Sequence, residues 1–195
     1  LVTERLPGVP VTARLPATAV KVGRLLRRLH ELPEPPPFAG GQLRWDEFIS
    51  WWSTLELQNA FERGFLATHE HQAIAAHYGA LLPRLAARPF GLIHGDCQAE
   101  HWLVDPDDQE VLGVVDFADA QAGDPLMDIA VLTMWDPVLT EFVLKGHGSS
   151  DDLDLLPSYG LLRHLAAANW LSDHGVTYHA QRNLAAVRQW LAEHS

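Results

Sequence analysis

The spacing of apolar residues changes abruptly between Gly91 and Asp116, and this change limits the folds that the chain can adopt. Three short apolar runs, GLI, HWLV and VLGVV, are separated here by polar turns, which is typical of short strands. On both sides of this region the apolar spacing is helical instead. The sequence therefore predicts an α+β fold that is mostly helical, with a small β-hairpin insert near its middle.

Six flanking segments have the apolar spacing or composition of helices. They cover residues 18–32, 44–65, 69–88, 123–135, 157–173 and 177–193. We expect Asp46 to cap the second helix and Asp124 to cap the fourth, with Pro125 at the first helical position. The proline-rich segment 33–41 is predicted to be a linker or rigid loop, and segment 145–150 a glycine-rich loop.

Composition limits the class of protein. The 195 residues are 47% hydrophobic and 20% charged, as in a globular domain, and no apolar run approaches the roughly 20 residues that span a bilayer. The formal net charge of −11 argues against a general nucleic-acid binder, which needs a basic surface. The single cysteine, Cys97, excludes an internal disulfide, so we expect a cytoplasmic protein. From the net charge and the short apolar runs, we expect neither nucleic-acid nor membrane partners.

Residue types that bind metals and transfer protons collect in and after the predicted β region. They are His94, Asp96, His101, Asp116, Asp119, Asp124 and Asp128. Asp96 and Asp116 each follow an apolar run, so a hairpin would bring the two carboxylates together. Two such carboxylates suit a divalent metal ion and a general base, which phosphoryl transfer needs. A metal-dependent hydrolase and a polar turn without chemistry remain alternatives.

The segment HGDCQAEH (94–101), followed by VVDFADAQAGDPLMDIA (114–130), resembles the aminoglycoside phosphotransferase-like family of small-molecule kinases. The family signature is His-Gly-Asp, four residues and Asn, then an Asp-Phe-Gly-like segment and a Gly-Asp-Pro-x-x-Asp helix start. The segments TERLPGVPV (3–11) and GRLLRRLHELP (23–33) resemble the family's hinge and first C-lobe helix. The resemblance implies the C-terminal lobe of a protein-kinase-like fold over the whole chain.

The resemblance implies one domain with four parts. A hinge-like segment covers residues 1–15, a helical part 16–90, the catalytic and metal-binding loops 91–120, and a second helical part 121–195. Because the resemblance begins at the hinge, we expect the family's N-terminal lobe to be absent from this chain. That lobe covers the nucleotide and supplies a phosphate-binding lysine, so a separate N-lobe or a second chain would supply the nucleotide lid.

The resemblance also implies roles for individual residues. Asp96 would be the catalytic base, His94 would shape its loop, and Asp116 would hold the Mg²⁺ of the nucleotide. Asp124 or Asp128 would brace the catalytic loop from the following helix. Within this scheme His94 is interpreted as a buried loop organiser and not as a metal ligand.

His101 departs from the family signature, because it stands where the family has asparagine. Neutral imidazole can bind metal ions, but it suits softer ions such as Zn²⁺ better than Mg²⁺. Two interpretations of His101 are retained: a metal and cofactor ligand beside Asp116, and a brace that holds the loop by a hydrogen bond.

The function implied by the resemblance is Mg²⁺-dependent transfer of the γ-phosphoryl group of ATP to a hydroxyl of a small polar acceptor. Aminoglycosides, other antibiotics, amino alcohols and sugars are all suitable acceptors. The first alternative is a non-catalytic truncated lobe that serves as a binding or regulatory module. The second alternative is a metal-dependent hydrolase that uses the same histidines and aspartates.

The remaining notable residues are given structural interpretations. Cys97 is expected to be a small packing residue and not a nucleophile. His69, His71 and His77 lack the His-Glu-x-x-His spacing of metalloproteases and are expected on a solvated helix face. The tryptophans of segment 44–65 are expected in the core, with a substrate pocket as the alternative; they are Trp45, Trp51 and Trp52.

Overall fold

The computed structural model describes residues 7–12, 14–32, 44–107 and 109–194. The proline-rich segment 33–41 and the first six residues of the predicted hinge lie outside the described residues. None of the helices in these ranges is both long enough and apolar enough to cross a membrane.

Seven α-helices and five short strands form within the described ranges. The helices are α1 (Pro16–His30), α2 (Trp45–Glu62), α3 (Thr68–Leu85), α4 (Pro125–Thr133), α5 (Pro137–His147), α6 (Leu156–Asp173) and α7 (Thr177–His194). The strands are β1 (Val9–Pro10), β2 (Gly91–Ile93), β3 (Trp102–Val104), β4 (Val111–Val114) and β5 (Gln121–Gly123). All six predicted helices are therefore observed, and α5 is an additional helix.

The strands form two antiparallel sheets. One sheet has the order β1-β3-β4, and the other pairs β2 with β5. β3 and β4 form a hairpin in which Trp102 lies opposite Val114, whereas Gly91 of β2 lies opposite Gly123 of β5. The prediction of a single hairpin insert is therefore wrong in part. The sequence does not predict β5, because its residues QAG have low strand propensity.

The chain divides into two compact units. The first unit falls within Leu1–Ala39 and Pro89–Leu156, and the second within Gly40–Arg88 and Pro157–Ser195. The first unit contains all five strands with α1, α4 and α5, and the second contains α2, α3 and α7 with nearly all of α6. The predicted catalytic and metal-binding loops all belong to the first unit.

Two glycines allow α1 and α5 of the first unit to pack closely. A Cβ atom on Gly23 would lie 2.2 Å from the carbonyl oxygen of Val143, and one on Gly146 would lie 2.0 Å from that of Val20. Gly146 therefore serves a helix crossing, and the prediction of a glycine-rich loop over 145–150 is wrong at its start. The helix ends only at His147, before Gly148 with φ of 85°.

The N-terminus of α4 is as the sequence predicts, whereas that of α2 is not. Asp124 accepts a hydrogen bond from the Leu126 N–H at 3.0 Å, with Pro125 at the first helical position. At α2 it is Glu47 that accepts from the Arg44 N–H, at 3.1 Å. Because α2 begins one residue before Asp46, that carboxylate lies in the first turn and cannot be the N-cap.

The tryptophans of α2 occupy different environments within the second unit. Trp45 is 2% exposed and donates its indole N–H to the Tyr159 hydroxyl at 2.8 Å, so it is a core residue as expected. Trp51 is 55% exposed, so the expectation of a core position is wrong for this residue. Trp52 is half-buried and donates to Glu56 one helical turn away.

The three histidines of α3 do not share a solvated face. His69 is exposed, and His71 is half-buried against the ring of Phe61. His77 lies 2.9 Å from the Ser158 hydroxyl, with its ring centroid 4.6 Å from that of Trp190. The expectation of a solvated face is therefore wrong for His77, because α3 turns this position toward α6 and α7.

Candidate active site

Gly95 fixes the path of the loop that follows β2. Its φ is +82°, and a Cβ atom at this position would lie 2.1 Å from the carbonyl oxygen of Asp119. A side chain here would therefore meet both backbone strain and a steric clash. The glycine between His94 and Asp96 keeps this loop in direct contact with the segment that follows Asp116.

Asp128 on α4 holds the same loop through two hydrogen bonds. Its Oδ2 atom accepts a hydrogen bond from the His94 N–H at 2.7 Å, and Oδ1 accepts from the Gly95 N–H at 3.0 Å. The side chain is fully buried. Of the two aspartates expected to brace the loop, Asp128 therefore makes the contact, while Asp124 caps its own helix.

His94 connects the loop to the end of β4. Its ring is fully buried, and Nε2 lies 2.9 Å from the carbonyl oxygen of Val115. Because a carbonyl only accepts hydrogen bonds, Nε2 carries the hydrogen. The ring also packs 4.5 Å from that of Phe117. These contacts are those of a loop organiser, and the other ring nitrogen, Nδ1, is buried and makes no hydrogen bond within the described residues.

Asp116 follows β4 in a backbone conformation that non-glycine residues seldom adopt. Its φ and ψ are 66° and 61°, in the left-handed region, and it precedes the short 3₁₀ helix Phe117–Asp119. Its side chain is 58% exposed. Backbone strain of this kind is typical of functional sites, where it fixes the direction of a side chain.

Asp96, His101 and Asp116 come together at one point. One potential ligand atom from each residue lies within 4.8 Å of the other two. The carboxylates meet as the sequence predicts, but not through a hairpin, because β2 and β4, which precede Asp96 and Asp116, belong to different sheets. The close contact between Gly95 and Asp119 brings the two loops together instead.

His101 makes the loop hydrogen bond and also presents its second nitrogen to the cluster. Nδ1 lies 2.8 Å from the Asp96 carbonyl oxygen, so Nδ1 carries the hydrogen. In the neutral ring, Nε2 then has a free electron pair, and it lies 3.9 Å from Asp116 Oδ2. Histidines that bind metals commonly donate their other N–H to a backbone carbonyl in this way.

This donor set fits a divalent metal ion. Two carboxylates supply the hard oxygen ligands that Mg²⁺ prefers, and the imidazole adds a nitrogen that suits Mn²⁺ or Zn²⁺ better. The potential ligand atoms lie within 4.8 Å of one another, whereas two ligands of one ion at about 2.0–2.3 Å lie no more than about 4.6 Å apart, so small side-chain rotations would bring all three onto one ion.

Two contacts near the site have no counterpart in the sequence-based interpretation. Gln98 donates to both oxygens of Asp96, at 2.9 and 3.1 Å, and so restrains the carboxylate. His30 of α1 lies 3.0 Å from Asp128 Oδ2. The only available signal for Gln98 is its place among the four residues between Asp96 and His101. His30 lies in the segment that resembles the family's first C-lobe helix, but it is distant in sequence from the residues of the site.

Cys97 is a packing residue, as expected. Its side chain is fully buried, and Sγ accepts a hydrogen bond from the Trp102 indole N–H at 3.1 Å. Burial, followed by the negative charge of Asp128, raises the pKa of the thiol well above its usual range. The reactive thiolate form is therefore disfavoured, and the nucleophile alternative has no support.

Comparison with known proteins gives matches over most of the chain. The GDP and kanamycin complex of APH(2")-IIIa aligns with a TM-score of 0.74 at 16% identity, over 100% of this chain and 70% of that chain. APH(3'')-Id from Streptomyces rimosus, in complex with ADP and streptomycin, aligns with a TM-score of 0.60 at 24% identity, over 83% and 68%. Macrolide 2'-phosphotransferase MphH from Brachybacterium faecium gives 0.63 at 19% identity, over 94% and 68%.

At these identities the structural likeness establishes the fold and nothing finer. No curated protein matches the sequence. The sequence profile of a phosphotransferase family, in contrast, matches residues 1–162, which is most of the chain and includes every residue of the site described above. The chain belongs to the APH phosphotransferase enzyme family.

Proposed function

We propose that this chain is the C-terminal lobe of a small-molecule kinase that transfers the γ-phosphoryl group of ATP to a hydroxyl of a small polar acceptor. The observation that carries the proposal is the convergence of Asp96, His101 and Asp116 in a chain of the phosphotransferase family. Related structures contain GDP or ADP together with kanamycin or streptomycin. These ligands support a nucleotide donor and favour an aminoglycoside among the acceptors.

Asp96 is proposed to be the general base. Its carboxylate is half-buried and restrained by Gln98, so it can hold one orientation toward an acceptor hydroxyl. As the acceptor oxygen forms a bond to the γ-phosphorus, the bond from phosphorus to the bridging oxygen of ADP breaks. The acceptor's proton passes to the Asp96 carboxylate, and ADP leaves with the electron pair of the broken bond.

Asp116 and His101 are proposed to hold the divalent ion that accompanies the nucleotide. When bound, this ion would neutralise charge on the phosphate oxygens. Asp116 is well exposed and itself has a left-handed backbone conformation, which favours a ligand role. His101 would contribute Nε2 while its Nδ1–H holds the catalytic loop.

A separate lobe or chain is proposed to cover the nucleotide. In this family the N-terminal lobe supplies a lysine to the phosphates. Lys21 does not suit that role, because its ammonium group is ion-paired with Glu110 and donates to the Gln109 carbonyl oxygen at 3.0 Å.

The reaction is proposed to take place in the cytoplasm, in keeping with the single buried thiol of Cys97.

Calorimetric titration of the chain with Mg·ATP tests this function. We expect wild-type protein to bind and Asp116→Asn to lose metal-dependent binding, while Asp107→Asn, a change at an exposed aspartate of the β3–β4 turn, binds normally. Circular dichroism of each sample shows whether it is folded. Absence of binding by folded wild-type protein would contradict the proposal and would favour a non-catalytic binding module.

The choice of metal ion tests the role of His101. Because imidazole prefers softer ions than an amide oxygen does, we expect His101→Asn to weaken Mn²⁺ binding roughly tenfold and to leave Mg²⁺ binding nearly unchanged. Electron paramagnetic resonance of free Mn²⁺ measures the first quantity, and competition with Mg²⁺ measures the second. Equal loss of both ions would indicate that His101 acts only as a loop brace.

A further inference from the structure

A buried chain of hydrogen bonds leads from α5 to the brace of the catalytic loop. His147 Nδ1 lies 2.7 Å from the Ser149 hydroxyl, and its Nε2 lies 2.8 Å from His30 Nδ1. His30 Nε2 lies 3.0 Å from Asp128 Oδ2, the oxygen that also accepts from the His94 N–H. Both histidines are buried, each with 7% of its residue surface exposed.

Asp128, at the inner end of this series of hydrogen bonds, determines which nitrogen of each imidazole carries the hydrogen. The Asp128 carboxylate only accepts, so His30 Nε2 carries a hydrogen. In the neutral ring, His30 Nδ1 then accepts from His147 Nε2–H, and His147 Nδ1 accepts from the Ser149 hydroxyl. With both rings neutral, every polar side-chain atom in this series has a hydrogen-bond partner. Each donor faces toward the Asp128 carboxylate.

We propose that His30 and His147 form a single-proton relay that adjusts how strongly Asp128 hydrogen-bonds to the proposed catalytic loop. The relay accepts one proton and no more, because the two nitrogens that face each other at 2.8 Å have room for one hydrogen between them. The importance of this loop rests on the proposed phosphotransferase function. The relay itself rests only on the contacts of His30, His147, Ser149 and Asp128.

The added proton enters at the Ser149 end and its charge resides at the Asp128 end. When His147 Nδ1 gains a hydrogen, the hydrogen on its Nε2 transfers to His30 Nδ1. His30 becomes the imidazolium, 3.0 Å from Asp128, and His147 is neutral again with its hydrogen now on Nδ1. The Ser149 hydroxyl rotates from donor to acceptor, so no heavy atom has to move.

The charged and titratable groups around His147 favour this location of the charge. Burial, followed by the charges of His30 and Arg27, lowers the pKa of His147 to about 4, against smaller opposing effects of Glu31 and Asp128. Arg27 and Glu31 lie on α1 beside His30, and Asp128 lies on α4. The only one of these carboxylates bonded to the relay is Asp128, which contacts His30.

Protonation of the relay weakens the brace of the catalytic loop. Asp128 Oδ2 serves two donors, His30 Nε2–H and the His94 N–H. A charged His30 draws electron density from this carboxylate and lessens its attraction for the amides of His94 and Gly95. His30 and His147 are therefore positioning residues, which act through Asp128 and do not contact the proposed reacting atoms.

Nuclear magnetic resonance of the imidazole nitrogens in the full chain tests the relay directly. Near neutral pH we expect both rings to carry hydrogen on Nε2. On acidification of the folded protein, His30 should gain a second N–H, while His147 moves its hydrogen from Nε2 to Nδ1. Hydrogen on Nδ1 of either ring at neutral pH, or a folded state in which both rings are doubly protonated, would overturn the proposal.

Amide hydrogen exchange tests the effect on the loop. After correction for intrinsic rates, we expect exchange at His94 and Gly95 to rise roughly tenfold as the relay protonates, and His147→Gln to remove this rise. The control is His164→Gln, which alters a buried histidine of the second unit that bonds Asn183. A rise that persists in His147→Gln, or that the control also removes, would overturn the proposed coupling.

These measurements are independent of the proposed function. Neither needs nucleotide or acceptor, so failure of Mg·ATP binding would leave the test of the relay intact. If the chain is active, the acid limb of the kcat profile should flatten in His147→Gln while KM for ATP stays the same. An unchanged acid limb would contradict the link from the relay to the catalytic loop.

Discussion

The two units of the molecule bury different kinds of polar group. Among the described residues, the buried carboxylates, Asp124 and Asp128, both lie in the first unit. The second unit buries amides, and these join helices: Asn169 donates to the Glu56 carbonyl oxygen at 2.9 Å, and Asn183 lies 2.9 Å from His164. The first unit therefore uses buried carboxylates to hold a loop and to cap a helix, whereas the second unit uses neutral amides where helices pack.

Asp96→Asn tests this comparison with the largest expected effect. Loss of the proposed general base should lower kcat for ATP-dependent phosphorylation by roughly 10²–10⁴-fold, with little change in stability because the side chain is only half-buried. Steady-state kinetics and thermal unfolding measure the two quantities. Glu56→Gln in the second unit is the matched control and should affect stability alone; an equal loss of kcat there would contradict the division of roles.

Replacement of the buried polar groups themselves sharpens the comparison. Asp128→Ala leaves the donors of His94, Gly95 and His30 without their acceptor, so we expect a loss of about 3–5 kcal/mol in the free energy of unfolding. Asn169→Ala removes a neutral donor and should cost about 1–2 kcal/mol. Urea denaturation measures both, and equal costs would show that buried charge has no special place in the first unit.

Two glycines with positive φ allow the cost of a close contact to be separated from the cost of backbone strain. Gly95→Ala introduces both a left-handed alanine and a clash with the Asp119 carbonyl, so we expect a loss of about 2–4 kcal/mol. Gly64→Ala, at φ of 71° with open space around it, should cost about 1 kcal/mol. Similar values from urea denaturation would mean that the first unit can relax around the added methyl group.

The smallest expected effect is the pH dependence of stability. Burial lowers the pKa of His147 to about 4, so between pH 6.5 and 4 the unfolded chain binds more protons than the folded one. The difference between a pKa of 6.5 and one of about 4 corresponds to about 3 kcal/mol, and partial screening by solvent reduces this value. Stability should therefore fall by about 1–2 kcal/mol as pH falls through this window, and His147→Gln should remove that part. Burial also lowers the pKa of His164, so His164→Gln in the second unit should remove a separate part of the same sign.

Helix periodicity was sufficient to predict most of the fold. α6 and α7 are long, periodic segments separated by a turn at Gly175, and their ends agree closely with the prediction. α5 was missed because Gly146 is a helix breaker by propensity, whereas the structure uses it for a close crossing with α1. β5 was missed because main-chain pairing with β2, and not side-chain character, makes it a strand.

The candidate site was predictable where it depends on short motifs. The order of the motifs indicated that Asp96 and Asp116 would meet, although the predicted hairpin is not what joins them. The relay could not be predicted, because His30 and His147 are separated by 117 positions and only the crossing of α1 and α5 brings them together. No local pattern encodes a contact of that kind.

The buried thiol of Cys97 gives a chemical probe of the proposed catalytic loop. It is the only cysteine in the chain, it is the residue after Asp96, and it is fully covered in the folded state. A thiol reagent can reach it only when this segment opens or the whole protein unfolds, so labelling that is faster than global unfolding measures how often the segment opens. The labelling rate of Cys97 thus reports the opening of the segment that carries the proposed catalytic base.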